Sequence, residues 1–124
     1  MIQGKQDPID DIFVSYIEQA VAKLARGQYA AFLQMFDDSR LSEDDLVLAL
    51  RFLDTDRPIT RVDNPLEVKS PECLFDIGEF NSGDGYYMDY YLTTDGELND
   101  LTLSCEFLKA DGGYSVCLSD LRAM

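Results

Sequence analysis

The side chains of this chain best equipped for chemistry are its tyrosines and carboxylates. None of its 124 residues is histidine, so the commonest general base and the commonest metal ligand are both missing. No Gly-x-Ser-x-Gly, P-loop or Gly-x-Gly-x-x-Gly pattern occurs. Cys73, Cys105 and Cys117 would be nucleophiles only beside an activating cation or a helix terminus. Three thiols without a Cys-x-x-Cys spacing do not make a disulfide framework, and buried free thiols are the expectation. Tyr16 or Tyr90 with Asp76 or Asp89 would form a proton-transfer pair if they met in one apolar pocket. The plainer expectation is that Tyr16 packs a helix against a sheet and Asp89 faces water. Asp95, Glu97, Asn99 and Glu106 fall at positions 1, 3, 5 and 12 of a calcium-loop pattern, but Asp100 stands at the sixth, where the sharp turn needs glycine. No catalytic residue, metal or cofactor is expected, and the chain reads as a non-enzyme.

Binding chemistry is better represented. Between residues 70 and 108 no side chain is basic, while Glu72, Asp76, Glu79, Asp84, Asp89, Asp95, Glu97, Asp100 and Glu106 are acidic. The whole chain carries 24 acidic against 10 basic residues, a formal net charge of −14. Such a balance disfavours nucleic acid and anionic membrane and favours a basic protein partner. Tyrosine anchors interfaces because it brings large area at low entropic cost. The expected partner-binding set is Tyr87, Asp89 and Tyr91 with Asp95, Glu97 and Asp100.

A hairpin over residues 85–108 would position this set. Tyr86, Met88, Tyr90 and Leu92 alternate with Tyr87, Asp89, Tyr91 and Thr93, and Leu101, Leu103, Cys105 and Phe107 alternate with Thr102, Ser104 and Glu106. One row of each strand must be buried, and Asp89 marks Tyr87 and Tyr91 as the exposed row. Residues 94–100 carry the turn formers.

The remaining chain supplies a layer to cover the hairpin. Asp7-Pro8 opens a helix that Gly27 stops, with Ile9, Ile12, Phe13, Tyr16, Ile17, Ala20, Val21 and Leu24 on one face. Tyr29, Phe32, Leu33 and Phe36 mark a short helix over 28–36, and 37–40 reads as a loop. Ser42 caps a third helix with Asp45 at its third position; Leu46, Leu50 and Leu53, with Val47 and Ala49, form its buried side before Pro58. Short extended pieces follow at 59–62 and 66–68, then a strand at 73–80, the hairpin, and a strand at 114–118 entered through Gly112-Gly113. Residues 1–6 read as a frayed start and 119–124 as a tail with Leu121 packed. Helices first and strands last imply a single α+β domain over 1–124, its N-terminal helices on one face of a curved antiparallel sheet. No apolar run approaches the roughly 20 residues of a membrane span and no signal-like segment opens the chain, so a cytoplasmic protein is expected.

The stretches GQYAAFLQMF, LSEDDLVLAL and NDLTLSCEF, with the aromatic strand and acidic turn before the last, resemble a family of small bacterial domains. The resemblance implies an NTF2-like or cystatin-like cone. Some such domains are immunity proteins beside polymorphic toxins, which implies inhibition of a basic toxin, such as a nuclease, by blocking its active site. The alternative is an NTF2-like small-molecule or isomerase-like pocket. A homodimer joined through exposed tyrosines is a third expectation.

Overall fold

The computed structural model describes residues 2–3, 9–52, 54–67, 75–110 and 113–123. Its elements are β1 (Ile2–Gln3), α1 (Ile9–Ala25), α2 (Tyr29–Gln34), β2 (Asp38–Ser39), α3 (Glu43–Leu50), β3 (Phe75–Glu79), β4 (Gly85–Thr94), β5 (Glu97–Ala110) and β6 (Gly113–Ala123). The architecture is α+β. One open sheet runs in the order β1-β6-β5-β4-β3, and β2 pairs with the outer edge of β6.

The apolar row of each long strand forms one face of the sheet. Met88, Tyr90 and Leu92 of β4 join Leu101, Leu103, Cys105 and Phe107 of β5 and Val116, Leu118 and Leu121 of β6, all buried. The helices close over this face with Phe13, Ile17, Phe32, Leu46 and Leu50 in the same cluster. The Phe13 ring stacks on Phe107 at 4.0 Å and meets Tyr114 edge-on at 5.1 Å, which docks α1 across β5 and β6. The Tyr16 hydroxyl donates to the Met35 carbonyl, tying α1 to the end of α2. At α3 the capping box forms: the Asp45 amide donates to Ser42 Oγ at 3.3 Å and the Ser42 amide to Asp45 Oδ2 at 2.9 Å.

Several expectations are corrected. The sheet is mixed, because β2 runs parallel to β6, where a loop was expected over 37–40. Asp37 holds that pairing: its amide donates to the Val116 carbonyl and its carboxylate accepts the Val116 amide, each at 2.7 Å. Ile2 and Gln3 pair with Tyr114 and Gly113 instead of fraying. Residues 59–62 form no strand, since Asp63 is drawn instead to the Thr93 carbonyl at 2.8 Å. Residues 65–67 form a turn where extension was expected. The supposed tail is the second half of β6. A bulge opposite Ser104/Cys105 inserts Ser119, so that Leu118 and Leu121, three residues apart, both face the core. The hairpin connection is two residues long, not seven: Asp95 (φ 53°) and Gly96 (φ 83°) make the turn, and β5 resumes pairing at Glu97. This positive-φ pair matches the right-handed twist of the strands it joins. Leu53, Val68, Cys73 and Leu74 lie outside the described residues.

Candidate partner-binding face

The face of the sheet opposite the helices carries the polar rows of β3, β4, β5 and β6. Three cross-strand rows can be read from the pairing. Asp76, Asp89, Ser104 and Asp120 stand side by side across β3, β4, β5 and β6. Beside them run Gly78, Tyr87, Glu106 and Cys117 on one flank, and Tyr91, Thr102 and Arg122 on the other. Asp76, Asp89, Glu106 and Asp120 thus converge on one surface from four strands.

Arg122 is the cation placed among them. Its Nη1 donates to Ser104 Oγ at 2.5 Å, and Ser104 Oγ donates in turn to Asp89 Oδ1 at 2.6 Å. The guanidinium also lies 3.7 Å from Asp89 and 3.9 Å from Asp120. At the edge, Arg40 approaches Glu106 at 3.8 Å. These are solvent-facing pairs of small energetic weight. Their role is to fix directions, and the surface keeps an excess of negative charge.

Two tyrosines of the face are held differently. The Tyr91 hydroxyl donates to Asp76 Oδ2 at 2.5 Å. That hydrogen bond, with burial and the nearby Asp76 and Asp89 charges, pushes the phenol above its ordinary 10.0. Tyr87 is 45 % exposed, and its ring lies over Gly78 with Phe80 at 5.8 Å. It is an aromatic platform fixed from below and open above.

The six expected binding residues fall into two groups. Tyr87, Asp89 and Tyr91 lie on the open face: Tyr87 is exposed, and Asp89 and Tyr91 are half-buried in the network. Asp95, Glu97 and Asp100 are exposed at the hairpin tip. Asp95 lies four positions beyond Tyr91, about 13 Å along the strand. Asp95 pairs with Arg61. Sequence reasoning passed over Glu106, Asp120, Ser104 and Arg122 as members of the set. Glu106 was readable from its alternation with Cys105 and Phe107; Asp120 and Arg122 were hidden by the bulge at Ser119.

The pocket pairing does not assemble. Tyr90 pairs with Phe75 and faces the core, whereas Asp76 and Asp89 face the other way. Tyr16 bonds Met35 in the helical layer, and its phenol is raised by burial and by Asp37. Phe13, Phe107, Met88 and Leu103 are fully buried between the helices and the sheet. Cys105 is buried in that core, and desolvation drives its thiol far above the ordinary 9.0; burial and the charges of Asp38 and Glu106 also raise Cys117. At both positions burial disfavours the thiolate, which is the nucleophilic form. Among the described residues no group of three or more Cys, Asp and Glu is arranged to hold a metal ion, and no helix is long and apolar enough to cross a membrane.

Residues 21–124 match the model of DUF7668, a domain of unknown function. The chain belongs to that family. Strands β2 to β6 of this DUF7668 domain lie inside the match, as do α2, α3 and the last five residues of α1. No curated protein and no solved structure matches the chain.

Proposed function

We propose that this DUF7668 domain is a non-catalytic binding protein that docks a cationic protein on its open sheet face, in the manner of an immunity protein neutralising a basic toxin. The observation that carries this reading is the convergence of Asp76, Asp89, Glu106 and Asp120 from four strands around the exposed Tyr87 ring. A carboxylate field on a fixed backbone steers a basic surface and suppresses wrong partners. Tyr87 supplies the buried-area anchor that charge alone lacks. Size is also suitable. Strands β3 to β6 have 5, 10, 14 and 11 residues, and at a rise of about 3.3 Å and a spacing of about 4.8 Å they give, hairpin tip included, a footprint of roughly 600 Å², the same order as the ~800 Å² per partner of a standard interface. The carboxylates would cover the substrate-binding face of a nuclease-like toxin, whose own ligand is anionic.

The test is capture from the native host lysate with the wild type and with Asp76→Asn/Glu106→Gln/Asp120→Asn, both first shown to be folded. A basic protein held by the wild type, released by high salt and lost by the variant supports the reading. Equal retention by the variant overturns it, and a stable homodimer buried through Tyr87 would replace it with self-association.

A further inference from the structure

The outward side of α3 carries a stripe that the core does not use. Asp44, Val47, Leu48 and Arg51 stand at i, i+3, i+4 and i+7 and so share one side of the helix. With Thr55 they line an open groove of about 300 Å³. Asp44 is exposed, and Val47, Leu48 and Arg51 are half-buried. The sequence pattern places Val47 on the buried side of the helix; in the fold Leu46, Ala49 and Leu50 take that side. Neither Val47 nor Leu48 belongs to the core cluster or to the half-buried side chains packed against it. Two adjacent aliphatic side chains are thus presented outward.

The two ends of the stripe are oppositely charged and unpaired. Arg26, Arg40, Arg57, Arg61 and Arg122 each lie beside a carboxylate. Among the described residues Arg51 is the arginine that has no acidic partner. Its Nη1 donates to the Thr55 carbonyl at 3.3 Å, and Asp54, the closest carboxylate in sequence, is paired with Arg57 at 3.8 Å. Asp44 has no ion pair among the described residues either, and the cap at its end of the helix is made by Asp45. Seven residues of helix set Asp44 and Arg51 about 10 Å apart, too far to meet each other.

A second copy meets both needs at once. In an antiparallel pair of α3 helices, an axis between Val47 and Leu48 sets Asp44 opposite the second copy's Arg51, Arg51 opposite its Asp44, and Val47 against Leu48 in the middle. That is the self-complementarity a twofold interface demands. Antiparallel alignment also puts the positive end of each helix beside the negative end of the other. The net charge of −14 opposes association, but charges more than about 8 Å apart are screened at physiological salt.

We propose that the outward side of α3 is a self-association surface, on which a second copy of this chain packs its own α3 antiparallel about a twofold axis between Val47 and Leu48. The surface belongs to the helical layer, so pairing leaves the open sheet face and Tyr87 free. α3 has 8 residues, about 12 Å of helix, so the contact is smaller than the ~1,200 Å² of a stable interface and the dimer is weak and reversible.

The experiment is sedimentation equilibrium of the full chain from about 10 μM to about 1 mM, a range suited to a weak dimer. The wild type should move from monomer toward dimer. Asp44→Arg sets arginine against arginine and Arg51→Asp sets aspartate against aspartate, and each variant alone should associate at least roughly tenfold more weakly. Equimolar mixing of the two variants restores both ion pairs and should restore the dimer, which a misfolded variant could not do. Asp44→Arg also makes the chain less negative, so it would strengthen association if bulk charge governed it. A wild type that stays monomeric throughout, a dimer unmoved by either swap or lost instead with Tyr87→Ala, or a mixture that fails to associate, overturns the proposal.

Discussion

The tip of the Tyr87 ring occupies the space where a side chain at Gly78 would stand. A Cβ built on Gly78 would lie 2.8 Å from Tyr87 Cε1, and closer still to Cζ and Oη. The two residues are direct cross-strand partners on β3 and β4. Gly78 is therefore the reason an exposed tyrosine lies across the sheet instead of standing into solvent.

This relationship sets up a double-mutant cycle. Gly78→Ala should displace the ring and destabilise the fold by about 1–3 kcal/mol, as overpacking does. In a Tyr87→Ala background the same substitution should be neutral or mildly stabilising, because alanine disfavours strand less than glycine does. Denaturant unfolding of the four proteins gives the coupling energy. An equal effect of Gly78→Ala in both backgrounds would mean that Tyr87 does not lie on Gly78.

Asp63 is the buried charge on which the hairpin tip depends. It is 8 % exposed and accepts three hydrogen bonds from β4 and its turn. Asp63→Ala removes the shared acceptor of the Thr93 hydroxyl and the two turn amides and should cost about 2–4 kcal/mol, counting charged hydrogen bonds at about 1.5–3 kcal/mol each less what water recovers. Hydrogen exchange at Asp95 and Gly96 should accelerate before exchange in β5. Unchanged protection at those amides would show that the turn holds itself.

Stability should fall at alkaline pH. Tyr16, Tyr91, Cys105 and Cys117 all have raised values in the fold: burial first for Tyr16 and both thiols, the Asp76 hydrogen bond first for Tyr91. The unfolded chain therefore releases these protons at lower pH than the folded chain. Their contribution is fully present below the ordinary thiol value of 9.0 and is lost as pH rises through the folded values. Urea midpoints should hold up to about pH 8 and then decline. Cys105→Ala in a separate series should flatten part of that decline, whereas an identical slope would assign it elsewhere.

Much of this fold was legible because local signals agreed with one another. The α1 face, the Ser42 capping box and the alternation of Tyr86–Leu92 against Leu101–Phe107 each point to one structure, and α1, α3, β4 and β5 follow them. The illegible parts are those where long-range pairing overrides local pattern. Leu118 and Leu121 break the period of two because a bulge lies between them, and nothing in SVCLSDLRA announces it. Asp38 and Ser39 become a strand only because the β6 edge is there to pair with. The same holds for the candidate face. Tyr87, Asp89 and Tyr91 could be placed from alternation alone, but Arg122 and Asp120 join them through a strand that periodicity could not extend.

The central claim is that a cationic protein surface docks on the open face around Tyr87. The most direct measurement is NMR titration of the labelled protein with a short lysine-rich peptide at physiological salt. Shifts should cluster at Asp76, Tyr87, Asp89, Glu106 and Asp120, weaken with added salt, and largely vanish in Asp76→Asn/Glu106→Gln/Asp120→Asn. Shifts spread evenly over all acidic residues, or confined to the helical side, would contradict it.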